Sequence, residues 1–194
     1  LYAIVAVAWV GALTADLMVN KPLGLSPPHI EFKRAHLYDV NPVGVGAMLL
    51  AIVIALLAYA GLFGQPLQAL HSYVALGVAL VAAPLIALAT GGRYYIARPP
   101  APCPQDAPPA TCCICEHPFE AADMAHCPAY GGAICSLCCS LDARCHDSCK
   151  QDARFPDQIL LFLRQLLPPF WVERINTRLG HYLGLMFLVG AVVS

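Results

Sequence analysis

The sequence predicts a mainly α-helical, polytopic membrane protein, with three spans plus a truncated fourth, that carries a small metal-binding insert. Three observations predict it. Hydrophobic residues make up 59% of the chain and charged residues only 12%, where soluble domains carry roughly a quarter charged. The apolar residues are blocked together, since no Asp, Glu, Lys or Arg stands between Val40 and Gly92. Nine of the ten cysteines fall within residues 112–150, so one short stretch departs from everything around it.

The first span is Leu1–Val19, apolar except for Asp16 near its end. An ionisable group inside a span is costly in hydrocarbon and often functional. At this depth Asp16 can instead reach the interface and pair with Lys21, and the sequence favours that second role. The uncharged run divides at "FGQP", Phe63–Pro66, where Gly64 loosens the helix and Pro66 cannot continue it, giving spans at Pro42–Phe63 and Leu67–Thr90. At about 1.5 Å per residue, each crosses a hydrocarbon core of roughly 30 Å. Asn41-Pro42 suits a helix entry, because proline is tolerated in the first turn. His71 is expected at the interface. A fourth apolar run from near Tyr182 to Ser194 is about 13 residues, too short to cross. The chain begins and stops inside apolar runs, with no initiator methionine or cleavable signal pattern, and is expected to be an internal piece of a longer polypeptide.

Of the eleven Lys and Arg residues, three lie in the loop 20–41 and eight in 91–181, while the turn 64–69 has none. Positive residues near spans are held on the cytoplasmic face. Both long loops are therefore expected in the cytoplasm of a multi-pass inner (plasma) membrane protein, with the lipid bilayer as partner. With a net charge of −1, no nucleic-acid partner is expected.

Cytoplasmic placement bears on the cysteines, because disulfides do not persist in a reducing compartment whereas thiolates gathered by a metal do. A Pro-rich linker, residues 98–111, is expected to stay extended; Cys103 within it is read as a bystander. The module 112–150 then offers Cys112-x2-Cys115 and Cys135-x2-Cys138. An x2 spacing turns two sulfurs toward one point, and two such knuckles complete a tetrahedral four-thiolate site with bonds of about 2.3 Å. Zinc suits that geometry, and an iron–sulfur cluster would use the same thiolates. The module holds few large apolar residues, so metal binding is expected to supply folding free energy that its core cannot. Cys127, Cys145 and Cys149 are candidates for a second site, with His146 or His126 as fourth donor. Cys113 and Cys139, each beside a better-placed ligand, read as small buried hydrophobes.

The order of these residues resembles the cross-braced, treble-clef zinc modules of the FYVE type, and the insert is accordingly expected to be treble-clef-like. "CPAYG", Cys127–Gly131, occupies the place of that family's second block with Tyr130 where the family has a cysteine, and Cys145 and Cys149 are spaced x3 rather than x2. The basic lipid-binding motif of that family is missing, so phosphoinositide binding is not implied. Residues 1–98, through Asp16, Asn20, Lys21, Tyr38, Asn41, Pro42 and Gly44 and the closing "TGGRYYIAR", resemble the late membrane region of the nucleobase:cation symporters, the purine, cytosine and allantoin permeases. That resemblance implies permease-like helices (1–97) that bind or move a small nitrogenous solute with a cation. In that family the sites lie mainly on earlier helices, so no substrate-binding residue is carried over.

Residues 155–180 are expected to form amphipathic helices at the interface. Pro168-Pro169 stop the first, and Trp171, Val172, Ile175 and Leu179 recur at helical spacing on the second. A further membrane helix starts at 181–194. The combination of permease-like helices with "CPAYGGAICSLCCSLDARCHDSCK" resembles hybrid bacterial proteins that join such modules to a sensor histidine kinase. It implies a signalling domain farther along the same chain. A plain secondary transporter with a structural zinc segment is the alternative. No ATP-binding glycine motif, nucleophile–base pair or carboxylate pair is recognisable, so no catalytic residue is expected in this piece.

Overall fold

The structure, a computed structural model, describes residues 1–99, 108–141, 145–175 and 177–193. Cys103 and the core of the Pro-rich linker lie outside the described residues. The chain forms two compact units, Leu1–Gln151 and Asp152–Ser194.

Three long helices build one end of the first unit. Helix α1 (Tyr2–Ala15) runs on through a π-helical turn, Asp16–Asn20; α2 is Pro42–Tyr59, α3 a short Gln65–Ala69, and α4 His71–Thr90. The helices Tyr2–Asn20, Pro42–Tyr59 and His71–Thr90 are each long and apolar enough to cross a membrane. Asn41 caps α2, its Oδ1 accepting the Val43 N–H at 2.9 Å, with Pro42 in the first turn.

Helix α2 stops four residues before the expected Phe63, and the cause is Gly61 rather than Gly64. Gly61 takes the left-handed conformation (φ 85°), its N–H bonds to Ala58 O, and the Leu62 N–H bonds back to Leu57 O, which satisfies the last carbonyls. The third long helix begins at His71 rather than Leu67, because α3 is a separate turn. The His71 ring sits at the start of α4, bonded to Gln68 O and edge-on to Tyr59.

The three long helices pack on one another through mostly small side chains spaced three or four apart. Ile4, Ala8, Ala12 and Ala15 face Val43, Ala47, Ala51 and Ala55 of α2 and Ala75, Ala79, Ala83 and Ala87 of α4, all nearly inaccessible. The large apolar side chains point the other way: Trp9, Leu13, Leu49, Val53, Leu57, Val81, Leu85 and Leu88 are exposed. Small residues inside and large ones outside is the reverse of a water-soluble bundle and suits a lipid solvent.

Asp16 does not pair with Lys21. Its Oδ1 accepts from the Tyr95 hydroxyl at 2.5 Å and from Asn20 Nδ2 at 3.2 Å, and Asn20 Nδ2 also donates to the Tyr95 oxygen. The widened π turn lays Asn20 over Asp16, while Lys21 Nζ turns away to the carbonyls of Pro27 and Pro28. Tyr95 arrives from beyond α4, whose end at Gly91-Gly92 is left-handed. A Cβ on Gly92 would lie 2.6 Å from Leu25 O, so only glycine lets this return pass against the first loop.

The module is built from two antiparallel hairpins and a short helix. Strands β1 (Ala110–Thr111) and β2 (Pro118–Phe119) pair, as do β3 (Met124–Cys127) and β4 (Gly132–Cys135), and α5 (Ser136–Leu141) follows β4 directly. Residues 31–39 of the first loop lie across it as a strap. Lys33 Nζ donates to Ala122 O at 2.6 Å, Ser140 Oγ donates to Phe32 O, and Arg34 pairs with Asp147 at 2.7 Å.

The second unit holds α6 (Phe155–Leu166), α7 (Pro169–Ile175) and α8 (Arg178–Val193). Phe155, Ile159, Phe162 and Leu166 form one exposed apolar stripe on α6, away from Asp157, Arg164 and Gln165. The expected continuous helix through Trp171 to Leu179 is broken. Thr177 Oγ1 accepts the Gly180 N–H at 3.0 Å and so starts a new helix at Arg178, four residues ahead of the expected Tyr182.

Candidate metal centre

Cys112 follows β1, and the chain turns at once through Cys113–Cys115 to enter β2. The turn is closed by the Glu116 N–H on Cys112 O (2.9 Å) and the Cys112 N–H on His117 O (3.0 Å), with Glu116 left-handed at φ 59°. Cys135 ends β4 and Cys138 lies in the first turn of α5. The Cys113 N–H donates to Ala133 O and fastens the first knuckle to β4.

This brings Cys112, Cys115, Cys135 and Cys138 together, with all four sulfurs within 4.8 Å of one another. Cys115 and Cys135 sulfurs are 3.9 Å apart. A tetrahedron with bonds of about 2.3 Å has edges of about 3.8 Å, so the four are already at coordination spacing and can hold a metal ion such as zinc. Cys112 and Cys135 are buried, and Cys115 and Cys138 half-buried. No disulfide joins the nine described cysteines.

The electrostatics favour a single thiolate at the centre. Burial opposes ionisation of Cys112, but backbone N–H groups of Cys115, Cys135 and Ile114 converge on its sulfur and bring its pKa down to about 6. The Cys135 N–H reaches that sulfur at 3.3 Å, and the Cys138 N–H reaches Cys135 Sγ at 3.4 Å. The His117 N–H acts to lower Cys115, yet burial and the neighbouring sulfurs leave it raised. Burial and the sulfurs of Cys135, Cys115 and Cys112 push Cys138 up strongly. One thiolate forms easily here and the next ones repel it, a conflict that a divalent cation removes.

Of the candidates for a second site, Cys127 ends β3 and is buried, Cys145 and Cys149 are half-buried, and His146 and His126 are exposed. Strand alternation puts His126 on the face opposite Cys127. Cys113 is exposed, not buried, with its sulfur against Gly132, where an added Cβ would come within 3.2 Å. Cys139 is buried, and its sulfur accepts the Ala35 N–H at 3.3 Å.

Sequence reasoning missed the strap. Glu31 begins it with a side chain only 6% exposed, accepting the N–H groups of Phe32 and Lys33 and pairing with Lys33 at 3.5 Å and His36 at 2.9 Å. Ala97 N–H closes the region on His36 O. The signal was available in "EFKRAHLYD", a dense run of charges set between two long apolar runs. No protein-family model, curated protein or solved structure matches the chain.

Proposed function

We propose that this chain is the sensing and coupling part of a multi-pass bacterial inner-membrane protein. In this reading a permease-like helical module binds or moves a small nitrogenous solute, and a treble-clef-like zinc module on the cytoplasmic side relays its state to a histidine kinase domain farther along the chain. The observation that carries it is the strap, because the loop leaving Asp16 and entering α2 is the same segment that ion-pairs with the cysteine module. A shift of α1 against α2 would thus be felt at the thiolate centre.

A cleft of about 430 Å3 lined by Trp9, Leu13, Asp16, Asn41, Met48 and Tyr95 supports the solute part. It joins apolar walls to a few convergent polar groups at a size that admits a one- or two-ring heterocycle. The stripe on α6 suits a helix lying at the membrane interface. We assign no catalysis to these residues.

The test is calorimetric binding of purine and pyrimidine bases to the detergent-purified full chain, before and after chelation. Linked sites exchange free energy reciprocally, so metal removal should change solute affinity several-fold. Binding indifferent to chelation would favour the plain transporter with a structural zinc segment, and no binding of any base would overturn both.

A further inference from the structure

The cleft between α1 and α2 has a polar end and an apolar end. One wall is the part of α1 and its π turn that carries Trp9, Leu13 and Asp16; the other is the start of α2, with Asn41, Val45 and Met48. Each set is spaced i, i+4, i+7, the repeat of a single helical face. The two helices run antiparallel, since Ala15 shares a buried cluster with Val43 while Ile4 and Ala8 share one with Ala51 and Ala55. Asp16 therefore stands at the Asn41 end and Trp9 at the Met48 end, two helical turns or about 10 Å apart.

Around Asp16 the donors are already committed. The single hydroxyl hydrogen of Tyr95 goes to Asp16 Oδ1 at 2.5 Å, and Asn20 Nδ2 spends its two hydrogens on that same Oδ1 and on the Tyr95 oxygen, each at 3.2 Å. Among the described residues nothing bonds to the second oxygen, Asp16 Oδ2. Asn20 is fully buried, and its own Oδ1 has no partner either. The three side chains have acceptors to spare and no donor left.

Charge points the same way. Among the described residues no Lys, Arg or His lines the cleft, so Asp16 is its one formal charge. Lys21 is turned away to the carbonyls of Pro27 and Pro28. The amide end of α2 supplies about half a positive charge at most, and Asn41 already closes its Val43 N–H. One oxygen of the carboxylate is served by hydrogen bonds; the other, set among largely apolar walls, calls for a positive group. Trp9 at the far end offers an aromatic face that attracts cations and stacks on flat rings.

We propose that the cleft selects a small organic cation, a flat nitrogenous solute of the amidinium or guanidinium kind. Its N–H donates to Asp16 Oδ2, while Tyr95 and Asn20 hold Oδ1, and its apolar body lies toward Trp9 and Met48. The assignment rests on the reading of this cleft as a solute site and narrows it by charge. Neutral purine and pyrimidine bases still donate an N–H and bind, but without the added attraction.

The experiment is calorimetric binding of three compounds of one shape, benzamidine (a cation), benzamide (neutral) and benzoate (an anion), to the detergent-purified full chain at neutral pH. Benzamidine should bind at least about tenfold more tightly than benzamide, with benzoate weakest, because a hydrogen bond to a charged group carries that ratio or more. In Asp16→Asn the ratio should fall to about one. Equal binding of benzamidine and benzamide to the unaltered chain, or a preference that survives in Asp16→Asn, would overturn the assignment. The comparison on the unaltered chain decides the matter even where Asp16→Asn fails to fold. Bases that bind while benzamidine shows no advantage would sink the charge selection alone; a chain that binds none of these compounds would sink the solute reading with it.

Discussion

Lys150 Nζ lies 2.9 Å from Asp39 Oδ1, joining the end of the cysteine module to the loop between the first two apolar helices. The Lys150 side chain is fully buried and Asp39 is 20% exposed, with Asp147 a more distant partner at 3.9 Å. Breaking a buried pair strands the buried charge, at about 3–5 kcal/mol. Asp39→Asn should therefore destabilise the strap by about 3 kcal/mol, seen as faster hydrogen exchange across residues 31–39. Lys150→Met, which leaves behind the better-hydrated Asp39 and an Asp147 that keeps Arg34 as its partner, should cost less than half of that. Equal effects would mean that the charge pairing is not what holds the strap.

Acid should release the same strap through Glu31. Burial acts to raise its pKa, but the His36 ring, the Lys33 N–H and the Lys33 charge outweigh burial and hold it below the ordinary 4.5. Between the two values the folded state binds fewer protons than the unfolded one. The contribution is thus fully present above about pH 4.5 and is lost as pH falls through the lowered folded value. In Glu31→Gln, strap exchange followed against pH should lose this acid step and start about 1–3 kcal/mol less protected at neutral pH. An unchanged acid step would place the sensitive group elsewhere.

Tyr95 links the segment after α4 to the π turn of α1 through Asp16 and Asn20. Tyr95→Phe removes the donor to a half-buried carboxylate and should lower bundle stability by about 1–3 kcal/mol, measured as a drop in the thermal aggregation midpoint in detergent. Lys21→Ala should leave that midpoint nearly unchanged, since Lys21 serves two loop carbonyls instead.

Close helix approach is tested by two glycines. A Cβ on Gly11 would lie 2.9 Å from Ala79 Cβ and 3.3 Å from Leu76 O, while one on Gly77 meets nothing within 4 Å. Gly11→Ala should push α1 off α4 and cost about 1–3 kcal/mol by overpacking. Gly77→Ala should be neutral or slightly stabilising, through helix propensity. The same thermal measurement separates them.

The existence of the three long apolar helices was legible because charge is missing from Val40 to Gly92, a signal that needs no partner. Their ends were less so. The helix stop at Gly61 depends on which glycine first adopts a left-handed backbone, and Gly64 two residues before a proline looked the stronger breaker in sequence. The convergence of Cys112, Cys115, Cys135 and Cys138 was legible because x2 knuckles are local devices. Asp39–Lys150, Asp16–Tyr95 and Ala35–Cys139 span 111, 79 and 104 residues, and local spacing carries no information at such range. Cys139 was read as a buried hydrophobe because its neighbour Cys138 already satisfied the x2 pattern, and its burial matches that reading, while the amide it accepts from Ala35 became visible only in the fold.

The most direct measurement is metal content combined with native thiol alkylation on the purified full chain. If an ion holds Cys112, Cys115, Cys135 and Cys138, at least one equivalent of metal should be present, those four thiols should resist alkylation, and chelation should expose them while releasing the ion. A chain with no metal whose four thiols react freely in the native state would contradict a metal-built module outright.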